Sequence, residues 1–170
     1  VLTQESNIGK NVGQCFLTNL STGEGVRATT KVKETKVMNP SRDTTPFAQI
    51  TQELGRDVYN TPVSCPLKNS AGAPVGWGGA MGPSQFIPST WVLYKDKINN
   101  MTGKAPDPWN IKDAFLATGV YLKDLGVATS EFKAVMRYFS GASWSKWEEF
   151  YGNSVLAIAK QYEQDIKGMQ

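Results

Sequence analysis

Fifteen Asp and Glu side chains and no histidine are what this chain offers for acid–base chemistry. Proton transfer therefore falls to a carboxyl group. Triads built on Ser-His or Cys-His are excluded, as are His-based metal sites. Most of the acids sit on predicted polar helix faces, as Glu131, Glu148, Glu149, Glu163 and Asp165 do. Glu5 stands apart. It follows the apolar Val1 and Leu2 and precedes Ser6, Asn7 and Gly9, so it ends a helix at the edge of a Gly-rich loop. A carboxyl group there projects from a rigid element into a cleft; the competing reading is a solvated helix-end glutamate.

The second segment with chemical potential runs from Gly78 to Trp91, GGAMGPSQFIPSTW. Its small residues let the backbone approach a ligand closely. Gln85 carries both a donor and an acceptor, which suits sugar hydroxyls and acetamido groups. Trp77, Phe86 and Trp91 are placed either to stack on sugar faces or to fill the core.

These groups need positioning elements. Residues 1–6 have the character of the last turn of a helix, and six residues alone are marginal as a helix, so the chain is expected to be part of a longer or processed protein. Residues 12–37 hold Gly13, Gly23 and Gly25 among β-branched flanks, which predicts a short irregular hairpin. Thr45 and Pro46 are read as N-cap and first position of a helix that Gly55 ends. Residues 56–83 read as a long loop, a feature usually tied to function. A short helix is expected after Pro88, with Trp91, Leu93, Tyr94 and Ile98 apolar. The clearest helix spans 111–125, capped by Asn110 and stopped by Gly126, with Ala114, Phe115, Ala117, Tyr121, Leu122 and Leu125 as its stripe. Ser130 caps another helix to about Phe139. The last, about 153–167, is expected to bury Val155, Leu156, Ile158, Ala159, Tyr162 and Ile166. The fold class is thus mainly α (α+β), a single domain over residues 1–170 with a small β element.

The composition narrows the partners. Net charge is +3, a mild bias that assists approach to an anionic polymer. The densest basic run, Lys31, Lys33 and Lys36, reads as a solvated strand face, so no nucleic-acid partner is expected. No Gly-rich phosphate loop is present, since Gly76, Gly78, Gly79 and Gly82 lack a following Lys-Ser/Thr pair. No apolar stretch reaches the ~18 residues of a membrane span. Cys15 and Cys65 are too few for a Cys-only zinc site. They lie in irregular, core-poor segments, where a bridge helps most, so a disulfide is preferred over buried thiols. It would contribute about 4 kcal/mol in the chain-entropy model and would imply an oxidising compartment.

Glu5-Ser6 followed by Gly79–Ser89 (GAMGPSQFIPS) resembles the lytic transglycosylases of the lysozyme-like superfamily, most closely the membrane-bound lytic transglycosylase B family. That family carries Glu-Ser at the end of a long helix and a Gly-Ala-Met-Gly-x-x-Gln-Phe-Met-Pro-Ser-Ser stretch downstream; Ile87 replaces its Met. Asp107-Pro108-Trp109-Asn110, Ala134–Tyr138, and Tyr151 with Val155-Leu156 resemble further segments. The likeness runs from residue 1 to about 162, with a divergent region at roughly 10–70.

The resemblance implies a lysozyme-like domain that cleaves the β-1,4 bond between N-acetylmuramic acid and N-acetylglucosamine of peptidoglycan strands, forming a 1,6-anhydro sugar. It implies Glu5 as the catalytic acid/base and Ser6, Met81, Gln85, Phe86, Tyr138 and Arg42 as substrate-binding residues. It implies an extracytoplasmic monomer with no cofactor, reaching a membrane only through segments outside this chain. Phe139 stands where the family usually has Asn. The 95–107 loop, with Asp96, Asn99, Asn100 and Asp107, lacks the spacing of a calcium loop, so no metal is expected. Two alternatives stay open. One is a hydrolytic muramidase, which would draw a second carboxylate from Glu24, Glu34 or Asp43; the other is a catalytically silent glycan-binding module.

Overall fold

A computed structural model describes residues 1–146 and 149–169. Among them are six α-helices and one three-stranded antiparallel sheet. Helix accounts for 47% of the chain, which makes the fold mainly α with a small β element.

Helix α1 covers Leu2–Ser6. Asn7 ends it in the left-handed conformation (φ 51°), where its amide reaches the Thr3 carbonyl and the Ile8 amide reaches that of Leu2. These bonds satisfy carbonyls that a helix end otherwise leaves open. The sheet joins β1 (Cys15–Asn19), β2 (Glu24–Arg27) and β3 (Lys33–Glu34) in that order, with an irregularity between Leu17 and Asn19. The expected hairpin is therefore extended by a third, two-residue strand.

Helix α2 spans Thr44–Glu53, so its N-cap is Asp43 and not Thr45. The Asp43 carbonyl already accepts the Phe47 amide, which starts the helical ladder two residues early. Gly55, with φ 63°, follows the last turn as expected. Helix α3 spans Pro88–Thr102, longer than the short helix expected. Pro88 occupies its first position, where the missing amide costs nothing. Trp91, Tyr94 and Ile98 form its buried face, while Leu93 is exposed. Helix α4 (Ile111–Asp124) has the predicted cap: the Asn110 side chain accepts from the Lys112 and Asp113 amides. Its buried face is Asp113, Ala114, Ala117 and Thr118, and Phe115 faces outward. Helix α5 (Glu131–Ser140) is capped by Ser130, whose hydroxyl accepts from the Lys133 amide. A 3₁₀ turn follows at Gly141–Lys146, and helix α6 spans Phe150–Gly168.

The main core gathers Leu17, Val37, Met38, Phe47, Ile50, Met81, Phe86, Trp91 and Ile98 from the sheet, α2, α3 and the loops between them. A second cluster, Val135, Met136, Tyr151 and Val155, joins α5 to α6. The expected burial of α6 holds only for its first half. Tyr162 and Ile166 are exposed, and with Ile158 and Ala159 they line an apolar groove of about 590 Å³ against α1 and α4.

Cys15 and Cys65 form a disulfide across 50 residues. It fastens β1 to the long loop, beside the Cys15–Val63 bridge. That loop is ordered by backbone pairing: the Ser64 amide donates to the Ala80 carbonyl (2.8 Å) and the Gly79 amide to the Ser64 carbonyl (2.9 Å). Gly78 is required there, since a Cβ would meet the Ser64 carbonyl oxygen at 2.4 Å.

Candidate active site

The segment Met81–Phe86 is a tight loop closed by an antiparallel bridge between its two ends. Gly82 turns it at φ 58°, and a Cβ there would stand 1.9 Å from the Pro108 carbonyl oxygen. No other residue fits without moving that backbone. Three helices pin the loop. From α1, the Ser6 hydroxyl donates to the Pro83 carbonyl at 2.6 Å. On α4, the Ala114 carbonyl accepts from the Ser84 hydroxyl, which itself accepts from Thr118, each at 2.8 Å. From α5, the Tyr138 hydroxyl donates to the Ser84 carbonyl at 2.7 Å.

Ser6 is buried, and its oxygen also accepts the Gly9 amide at 2.8 Å. Its expected substrate role is thereby corrected: its hydroxyl is committed to backbone and locks α1 to the loop. Glu5, one residue earlier, is held in register with that loop and remains partly accessible. Its Oε1 accepts a short hydrogen bond from the Tyr151 hydroxyl of α6. The neighbouring Gln4 side chain accepts from Ser154 and the Thr3 hydroxyl meets that of Tyr162, so three side-chain hydrogen bonds join α1 to α6. Desolvation holds the Glu5 carboxyl above the usual carboxylate range; the Tyr151 bond pulls the other way but does not prevail. Burial and the adjacent Glu5 charge push the Tyr151 phenol far up, so it acts only as a donor.

A cavity of about 390 Å³ lies at the end of α5 and the Met81–Phe86 loop. Gln85, Tyr138, Arg42 and Phe139 line it, together with Thr90 and Tyr121. Glu5 does not line it. Tyr138 connects the two, because it stands on the cavity wall and within the electrostatic reach of Glu5. Burial pushes its phenol well up, and its proton is directed at Ser84. Gln85 adopts the left-handed backbone (φ 53°), a strained state for a non-glycine residue. Its Nε2 donates to the Gly82 carbonyl at 2.7 Å, and among the described residues no group donates to its Oε1. Arg42 is half-exposed and paired with the buried Asp43 at 2.7 Å.

One further expectation is corrected. Met81 is fully buried and packs in the core, out of reach of any substrate. Phe86 also lines the cavity, while most of its ring is buried, packed on Trp91, Tyr121 and Tyr138 at 5.6–5.8 Å. Trp77 is half-exposed under the Lys36 ammonium and does not line the cavity.

The carboxylates proposed as second catalytic groups are engaged elsewhere. Glu34 is buried between Arg27 (3.2 Å) and Lys68 (2.8 Å), and both hold its carboxyl below the usual range. Asp43 accepts from Arg42 and the Ser89 amide. Glu24 is exposed on β2 and accepts from Thr22. Among the described residues no carboxylate acts on Glu5, and no three Cys, Asp or Glu side chains gather as a metal site. Glu148 lies outside the described residues.

Sequence reasoning names Tyr151 only as part of a segment resembling the family, with no role at the site. Its bond to Glu5 comes from α6 packing on α1.

Compared with protein-family models, with curated proteins and with solved structures, the chain gives no significant match.

Proposed function

We propose that this protein is a peptidoglycan lytic transglycosylase of lysozyme-like type, with Glu5 as its sole acid/base. The observation that carries the reading is a partly accessible, desolvated Glu5 held by Tyr151 and linked through Tyr138 to a cavity walled by Gln85 and Arg42. A carboxyl whose pKa is raised keeps its proton nearer neutrality, as a general acid must. The likeness of Glu5-Ser6 and Gly79–Ser89 to the transglycosylase motifs supplies the substrate class.

In this reading Glu5 protonates the glycosidic oxygen as the bond to the muramic acid anomeric carbon breaks. The muramic acid C6 hydroxyl then attacks that carbon and returns its proton to Glu5, closing a 1,6-anhydro ring. The intramolecular nucleophile is already held near the reacting carbon, which removes the need for a base to activate water. A hydrolase of either stereochemistry would require a second carboxyl at roughly 5–9.5 Å. The engaged states of Glu24, Glu34 and Asp43 favour the transglycosylase. The free acceptor of Gln85 suits an acetamido or hydroxyl donor. The disulfide supports an oxidising, extracytoplasmic setting.

Mass spectrometry of products from purified sacculi tests the proposal. 1,6-Anhydro-muropeptides are expected. Reducing-end muramic acid as the main product would replace this reading with a hydrolase. Binding without cleavage would replace it with a glycan-binding module.

A further inference from the structure

Phe139 ends α5 beside the cavity, and its ring stacks on that of Tyr151, with centroids 4.6 Å apart and planes inclined by 19°. Tyr151 is buried, and its hydroxyl is the hydrogen-bond donor to Glu5. The three side chains come from α5, α6 and α1 and form one line from the cavity wall to the carboxyl. Phe139 itself is half-exposed, and among the described residues its ring covers one face of the tyrosine that holds Glu5.

We propose that Phe139 is a positioning residue for Glu5: by stacking on Tyr151 it fixes the phenol against the carboxyl and keeps water from the pair. The inference rests on the reading of Glu5 as the acid for its catalytic consequence, but its structural content does not. A parallel stack restricts the tyrosine ring to one orientation, and a ring of this size displaces water that an Asn or a smaller side chain would admit. Desolvation is the largest influence on Glu5, so admitting water favours its charged form. The titratable groups near Glu5 are Tyr151 of α6, which donates to it, and Tyr138 of α5, which lies within its field.

The test is a ¹³C-carboxyl NMR titration of Glu5 in the full chain for the wild type, Phe139→Asn and Phe139→Tyr, with steady-state kinetics on sacculi alongside. Phe139→Asn is expected to move the Glu5 midpoint to lower pH and to cut kcat about tenfold with little change in KM. Phe139→Tyr keeps the stacking ring and is expected to retain both wild-type values. If Phe139→Asn does not fold, Phe139→Leu, which lacks a stacking face, is expected to shift the midpoint in the same direction. An unmoved or raised midpoint in the folded variant overturns the proposal. A change in KM alone does so too, because it makes Phe139 only a substrate contact. If the wild type leaves sacculi uncut while the midpoint still moves, the proposed function fails and the positioning role stands.

Discussion

The Tyr151 hydroxyl of α6 donates to the carboxyl of Glu5 in α1, 146 residues earlier in the chain. This bond and desolvation oppose each other at Glu5, and desolvation prevails. A carboxyl whose folded-state pKa lies above its unfolded value favours the folded state fully below the unfolded pKa. That contribution is lost as pH rises through the folded pKa.

Glu5→Gln removes this titration while keeping an acceptor for Tyr151. Turnover of sacculi is expected to fall below a few per cent of wild type. The variant is also expected to melt higher at neutral pH, by about 2–4 °C for each kcal/mol recovered. The difference should vanish once the pH lies below the unfolded pKa of Glu5. Thermal melts of both proteins from pH 3 to 8 measure it, and a variant less stable at neutral pH contradicts the desolvated state of Glu5.

Tyr151→Phe keeps the ring and its stack but deletes the donor. The lost bond favoured the charged carboxylate, so Glu5 should hold its proton to still higher pH. With Glu5 as the acid, kcat/KM declines as pH rises through its pKa. That declining limb should therefore move to higher pH while kcat falls by about tenfold. The pH–rate profile reads both effects. A limb displaced to lower pH would show that the phenol acts mainly by excluding water.

Gln85 combines strain with a polar side chain at the cavity. Gln85→Gly removes both, so stability should hold or rise by up to about 1 kcal/mol while activity falls at least tenfold. Denaturant melts and sacculus turnover separate these readouts. A stable, fully active Gln85→Gly protein would remove Gln85 from the site.

Much of the secondary structure was legible because its signals are local. Asn110, Ser130 and Gly126 carry helix boundaries within a few residues, and the structure uses all three. The boundary at Asp43 was not legible, because Asp43 is an acid drawn inward by Arg42 and Ser89. At the site, Glu5, Gln85, Tyr138 and Arg42 came from pattern and resemblance, and the last three meet at one cavity. Ser6 and Met81 belong to the same motifs but serve the scaffold, a division that depends on which atoms face inward. Tyr151 and Phe139 acquire meaning only through helix packing. Phe115, Tyr162 and Ile166 have the spacing of core residues, yet helical periodicity assigns them a face without saying what that face meets.

Cys15→Ser paired with Cys65→Ser opens a cross-link that spans 50 residues. About 4 kcal/mol of stability should be lost, measured by urea denaturation of the double variant against wild type. Loss well below 1 kcal/mol would mean that the unfolded chain is constrained by other means.

That cross-link also carries a redox dependence. Cys65 adjoins Ser64, and Ser64 makes three hydrogen bonds to Gly79 and Ala80, the residues that lead into Met81–Phe86. While the thiols are reduced, the loop that pairs with Gly79 and Ala80 lacks its covalent anchor to β1. Oxidation supplies that anchor, so the covalent tie between β1 and the segment leading into Met81–Phe86 depends on the redox setting in which the chain folds.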